Sequence, residues 1–317
     1  MDAEITVRSL AESDLPETER IFRLAFGTFL GLPDPSTFSG DASYIRTRWL
    51  EDPGAGFAAE LGGELIGSNF ATHWGSVGFF GPLTVRPDRW ESGAGKRLME
   101  PILECFAAWQ TRHAGLYTFA HSAKHIALYQ KFGFWPRFLT AIMAKPVAPD
   151  GPSHAQEGAL LSGLAPREHS ATVAACREIT DAVYEGLDVS REILAVARHG
   201  FGETVLVRDA STLQAFAVCH CGPGTEIGSG GCYVKFAAVR PGPRAGEGFD
   251  RLLAACEAMA AGRGLSRVVA GVSTARHEAY RQMATRGFRT QSQGVAMHRP
   301  NEPAYDRPGV YALDDWR

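Results

Sequence analysis

Val85-Arg86-Pro87-Asp88-Arg89-Trp90-Glu91-Ser92-Gly93-Ala94-Gly95-Lys96-Arg97-Leu98 is the stretch from which the rest of the chain can be read. An apolar run ends at Val85, Pro87 stops it, and two glycines flank one small residue. Leu98, Ile102, Leu103, Phe106 and Trp109 then recur at helical spacing. The pattern predicts a strand, a glycine turn and a helix N-terminus in succession. Free backbone N–H groups at such a turn, together with the positive end of the helix dipole, suit a pyrophosphate. Glycine fits both positions because a side chain would hold a ligand away from the backbone.

A second motif follows about forty residues on. Ser122 opens a short helical pattern that carries Tyr129, closes at Gly133 and leads into Phe134 at a strand start. Both motifs return 154 residues later, Arg86-Pro87 as Arg240-Pro241 and Gly133-Phe134 as Gly287-Phe288. One offset shared by two motifs points to a duplicated domain.

These residues resemble the GNAT superfamily of acyl-CoA-dependent N-acyltransferases. That family carries Gln/Arg-x-x-Gly-x-Gly/Ala after a strand ending in Val-x-Pro, and later Asn-x-x-Ala-x-x-x-Tyr-x-x-x-Gly-Phe. Val85, Pro87, Gly93, Gly95, Tyr129, Gly133 and Phe134 fit, whereas Trp90 stands for Gln or Arg, Ser122 for Asn and His125 for Ala. The resemblance covers most of the chain as two copies and is clearer in the first. It implies an α/β fold of two tandem GNAT-like domains, each a mixed, mostly antiparallel sheet flanked by helices. It also implies acetyl-CoA or another short acyl-CoA as cofactor, and direct attack by a primary amine of a small molecule.

The resemblance distributes the roles. Ser92, Gly93, Ala94, Gly95, Lys96 and Arg97 would surround the pyrophosphate, with Ser122 at the family's Asn position. Backbone N–H groups from Leu83 to Val85 would polarise the acyl carbonyl. Tyr129 would donate a proton to the departing thiolate, which its ordinary pKa of about 10 allows at neutral pH. His73 and His121 border the cleft in this fold and are candidate bases, with Glu60 a third; relay through water needs no dedicated base. Trp90, Ser122 and His125 keep open an alternative, a non-catalytic acyl-CoA-binding sensor or regulatory protein.

Composition narrows the classes. The 317 residues suit two domains, and 45% hydrophobic with 21% charged content is ordinary for a soluble globular chain. A net charge of −3 gives no electrostatic case for nucleic acid. Met1-Asp2-Ala3-Glu4-Ile5 lacks the basic and apolar regions of a signal peptide, and the uncharged run from Gly67 to Val85 holds Asn69, His73 and Pro82, unlike a membrane span. The six cysteines contain no Cys-x-x-Cys and read as reduced thiols of a cytoplasmic protein. Cys219-His220-Cys221 suggests no metal site, because strand alternation sends His220 to the face opposite both cysteines. Monomer and homodimer both stay open.

Taken in order, the first domain is expected over residues 1–147 and carries the chemistry. Its first helix is capped by Asp14 with Glu17 at capping-box spacing, and a second runs from Asp41 to Leu50. Phe22, Phe26, Phe29, Phe38 and Tyr44 are candidates for an acceptor pocket. A hairpin turns at Gly62-Gly63, one strand spans Val77 to Val85, and Pro101 falls within the following helix, where it costs a hydrogen bond or forces a kink. Residues 148–157 read as a linker, 158–300 as a second and degenerate copy, and 301–317 as a tail whose Tyr305, Tyr311 and Trp316 suggest docking. By the 154 offset Tyr129 falls on Met283, which cannot donate a proton, and Gly93 and Gly95 fall on Glu247 and Phe249.

Overall fold

The computed structural model describes residues 4–147 and 158–317; the expected linker, 148–157, lies outside the described residues. The first half runs β1 (Ile5–Ser9), α1 (Leu15–Phe29), α2 (Tyr44–Glu51), β2 (Gly56–Leu61), β3 (Glu64–Trp74), β4 (Val77–Phe80), β5 (Thr84–Val85), α3 (Ala94–Arg97), α4 (Glu100–Ala108), β6 (His113–Thr118), α5 (Ala123–Gln130) and β7 (Trp135–Pro146). The second half repeats that order as β8 (Ala159–Leu160), α6 (Pro166–Val183), α7 (Ser190–His199), β9 (Gly202–Asp209), β10 (Thr212–Gly222), β11 (Gly228–Val239), α8 (Ala245–Gly262), β12 (Arg267–Ser273), α9 (His277–Thr285) and β13 (Arg289–Arg299). A last strand, β14 (Ala312–Leu313), belongs to the tail. No helix among the described residues is long and apolar enough to cross a membrane.

Local chemistry explains where these elements start and stop. In α1, Leu15, Thr18, Ile21, Phe22 and Ala25 are buried at three- and four-residue spacing, so one face meets the sheet. Asp14 precedes that helix but its side chain does not cap it. Its carboxylate instead accepts from Arg8 at 2.6 Å and from the Ala11 N–H at 2.8 Å, because a guanidinium offers a stronger, charge-assisted partner. The expected strand from Val77 to Val85 is two pieces, since Pro82 has no N–H to give a ladder. Pro101 costs no interior hydrogen bond: the helix breaks at Leu98-Met99, which puts Pro101 in the first turn of α4.

The strands form one sheet in the order β1-β2-β3-β4-β6-β13-β7-β12-β11-β10-β9-β8, with β5 on β3 and β14 on β11. Most pairings are antiparallel; β4 with β6 and β11 with β12 are parallel. The two halves do not keep separate sheets. β13 of the second half lies between β6 and β7 of the first, and β7 pairs on its other edge with β12. Each half thus gives its last long strand to the other. The two halves share a register at the 154 offset: Val77 faces His113 in the first half, and Gly231 faces Arg267 in the second, both 154 residues later.

Candidate active site

Val77, Gly78 and Phe79 pair in parallel with His113, Ala114 and Gly115. Past Phe80 the chain turns aside, and Thr84 and Val85 pair with Ser68 and Gly67 of β3. β6 meanwhile continues against β13 up to Thr118. The sheet therefore forks, and Leu83, Thr84 and Val85 line one wall of a cavity of about 610 Å³. The opposite walls come from Ala25, Phe26 and Phe29 of α1, from Phe119 just past β6, and from α5. That volume lies within the range of small-ligand clefts.

The glycine turn forms one end. Gly93 has φ 93°, a left-handed conformation that costs a residue with a Cβ roughly 1–2 kcal/mol. Nothing lies within 4 Å of where its Cβ would stand. A Cβ on Gly95 would reach only the methyls of Leu83 and Leu128, each at 3.7 Å. Among the described residues neither the Gly93 nor the Gly95 N–H has a backbone partner. Arg89, Lys96, Lys124 and Lys131 line the same cavity with one carboxylate, Glu91, which Lys124 meets at 3.0 Å. That pair is exposed and worth little in stability. Its consequence is a cavity rim with net positive charge.

The expected site residues divide. Leu83, Val85, Gly93, Ala94, Gly95 and Lys96 line the cavity. Ser92 sits in the turn with its hydroxyl accepting from the Ala94 N–H at 3.4 Å. Arg97 points elsewhere and pairs with Glu100 at 3.2 Å. Ser122 is buried as the N-cap of α5, accepting from the His125 N–H at 3.4 Å. Trp90 bends back over the strand end, its indole N–H donating to the Val85 carbonyl at 2.8 Å.

Tyr129 is buried at the vertex of the fork. Its ring meets that of Phe80, the last residue before the strands part, at 5.5 Å. Its side chain contributes to the apolar core with Phe134 and Met99, not to the cavity lining. Burial pushes its phenol well above the ordinary value. His73 is not brought to the cavity: it stacks on Trp109 at 4.6 Å, and burial followed by the nearby Arg191 lowers its pKa. His121 is not among the lining residues either; its ring lies 5.8 Å from that of Phe29. Glu60 is held by Arg8 at 2.6 Å.

His125, Phe119, Lys124 and Lys131 went unassigned from sequence. His125 lines the cavity with its ring 4.8 Å from Phe29, and burial, then Lys124 and His121, lower its pKa. Phe119 was hidden inside an apolar run that reads as buried strand. Lys124, Leu128 and Lys131 are spaced i, i+4, i+7, a pattern that could have marked one helix face. Phe26 and Phe29 reach the lining, while Phe22, Phe38 and Tyr44 pack behind them.

In the second half the corresponding fork is closed by the chain itself. Ala312 and Leu313 of β14 pair with Ala238 and Ala237, and Val239 donates to the Tyr311 carbonyl at 3.0 Å. The second turn is also three residues shorter, since α3 starts at Ala94 and α8 at Ala245. By helix start Gly95 therefore corresponds to Gly246, not to Phe249. A Cβ on Gly246 would stand 2.9 Å from the Tyr311 hydroxyl.

Residues 18–134 match the family model described as Acetyltransferase (GNAT) family. Among solved structures, a candidate acetyltransferase from Pyrococcus horikoshii superposes with TM-score 0.68 at 15% identity, covering 98% of this chain and 95% of that one. A GCN5-related N-acetyltransferase from Sphaerobacter thermophilus gives TM-score 0.61 at 17% identity, with 96% and 97% covered. At these identities the likeness shows the fold. The chain matches no curated protein. The family match is confined to residues 18–134, and the solved structures add the fold of the whole chain.

Proposed function

We propose that this chain is an acyl-CoA-dependent N-acyltransferase whose first half moves acetyl, or another short acyl group, to a primary amine of a small molecule. The observation that carries the reading is the forked edge at Leu83–Val85 opening onto an unfilled glycine turn rimmed by four cations. The residues present fit a pyrophosphate thioester: two N–H groups are free, the space beyond both glycines is open, and the rim is positive. Gly93, Gly95 and Lys96 would hold the diphosphate, with Arg89, Lys124 and Lys131 adding attraction. The bound thioester supplies an activated acyl carbonyl. Leu83–Val85 would hold the ligand at the strand edge, and the apolar walls would exclude water from the cleft. Tyr129, kept protonated by burial beside Phe80 at the edge of the cleft, would be the proton donor to a leaving thiolate.

The second half serves structure in this reading. Its fork is occupied by β14, and Met283 stands at the position of Tyr129. The described cysteines are free, in keeping with a reducing cytoplasmic setting. Thiol release from acetyl-CoA over an amine panel, together with calorimetric binding, tests the function. Binding of one acetyl-CoA per chain with acceptor-dependent thiol release supports it. Binding without release from any amine would make the chain an acyl-CoA sensor, and absence of binding would remove both readings.

A further inference from the structure

We propose that the acceptor carries its amine on an aromatic or similarly apolar body, and that polycationic amines are excluded; this rests on the acyl-CoA reading above. The wall of the cavity formed by α1, Phe119 and α5 carries the rings. Phe29 lies 4.7 Å from Phe119 and 4.8 Å from His125, and Phe26 lies 6.1 Å from Phe119. Phe38 stacks behind Phe26 at 5.3 Å and 11°, which fixes the wall in place. Such faces accept flat apolar groups through burial and edge or stacked contact.

Charge points the same way. Glu91 is the one carboxylate among the described lining residues, and it sits on the turn against Lys124. The remaining ionic side chains, Arg89, Lys96, Lys124 and Lys131, are cations that repel a polyamine or an aminoglycoside. Of the two acidic residues on the helix of Phe26 and Phe29, Glu19 is already engaged by Arg23 at 2.8 Å and Ser43 at 2.9 Å, and Glu17 by Arg20 at 2.6 Å. A single ammonium needs no carboxylate here. The face of a phenylalanine attracts it on entry, and desolvation among the rings then favours the neutral amine, the form that attacks a carbonyl. The proton leaves to solvent at the rim as the amine becomes buried. None of His73, His121 and Glu60 is within the lining, and His125, the one imidazole that is, packs its ring against Phe29.

The test compares 2-phenylethylamine and tryptamine with spermidine and kanamycin as acceptors at saturating acetyl-CoA. The arylalkylamines should show kcat/KM on the order of a hundredfold above the polycations, the ratio expected from burying one ring. Phe119→Ala should raise the KM for 2-phenylethylamine about tenfold or more, and Phe119→Leu should restore most of it. Polycations acylated as well or better would overturn the proposal, as would failure of both arylalkylamines or an unchanged KM in Phe119→Ala. Failure of the underlying acyl-CoA reading is separately visible, because the unaltered chain would then not bind acetyl-CoA at all.

Discussion

Gly93 lines the cleft and Tyr129 packs in the core beside it, and each can be tested by one side-chain change. A glutamate at position 93 would set a carboxylate where the backbone now offers an N–H in a left-handed turn. Gly93→Glu should weaken acetyl-CoA binding at least tenfold by calorimetry. Gly93→Asn, which tolerates positive φ, should keep most of the affinity, and circular dichroism separates loss of binding from loss of fold. An unchanged Kd in a folded Gly93→Glu variant would move the phosphate site elsewhere. Tyr129 is a less obvious donor than its motif implies, because its ring is core. The phenol nevertheless sits where β4 leaves β6, and burial keeps it protonated far above neutral pH. Tyr129→Phe should therefore lower kcat by roughly tenfold to ten-thousandfold with little change in the KM for acetyl-CoA, since a proton given only as the thiolate departs acts on the chemical step. Unchanged turnover, with chemistry shown to limit the rate, would leave the residue a packing role alone.

Two short strands decide which half is open, and they show what a sequence can reveal. β5 and β11 both carry their edge past a fork, but β14 fills the second fork and nothing among the described residues fills the first. Leu313 is 1% exposed within the apolar core under α8. Leu313→Ala should cost about 2–5 kcal/mol in urea unfolding while leaving acetyl-CoA affinity unchanged, because the first cleft does not touch β14. A parallel loss of binding would put the ligand in the second half. The strands and the turn were legible because periodicity and glycine placement are local, and the 154 offset recurs in the register of both forks. The docking of the tail was anticipated only from its aromatics. Its place was not, since a two-residue strand carries no period. The aromatic wall was half legible: Phe26 and Phe29 sit on an amphipathic helix, whereas Phe119 lies in an apolar run whose two faces look alike. The exchange of β7 and β13 left no trace at all, because alternation fixes which face a residue points to and not which strand lies beside it.

That exchange makes the seam between the halves continuous with the sheet, and the seam is lined with titratable groups. Arg48 of α2 meets Glu226 at 3.0 Å, and Lys235 of β11 meets Glu192 at 2.7 Å and Glu226 at 2.8 Å, all of them buried. Arg48 also donates to the Arg317 carbonyl. Such pairs are costly to break singly, since a lone partner stays buried and charged. At the crossing of the exchanged strand, His113 of β6 shares a hydrogen bond of 2.9 Å with His298 of β13, and both rings are buried. Asp306 lies 3.4 Å beyond His298 and is held in turn by Arg276, while Tyr184 and Trp316 pack against the His113 ring and Arg137 adds a distant positive charge. Burial first, and His298 second, hold the His113 pKa down to about 3. The folded state thus disfavours a proton that the unfolded chain accepts near pH 6.5. The stability contributed by neutral His113 is present above pH 6.5 and is lost as pH falls toward 3. Between pH 7.5 and 4.5 the loss from this one group should be on the order of 2–3 kcal/mol. Glutamine can keep a hydrogen bond to His298 without titrating. His113→Gln should therefore lower stability at pH 7.5 but flatten its fall toward pH 4.5 by that amount, read as urea midpoints at matched ionic strength. Equal pH slopes in the two proteins would place the acid sensitivity in the carboxylates of the seam instead.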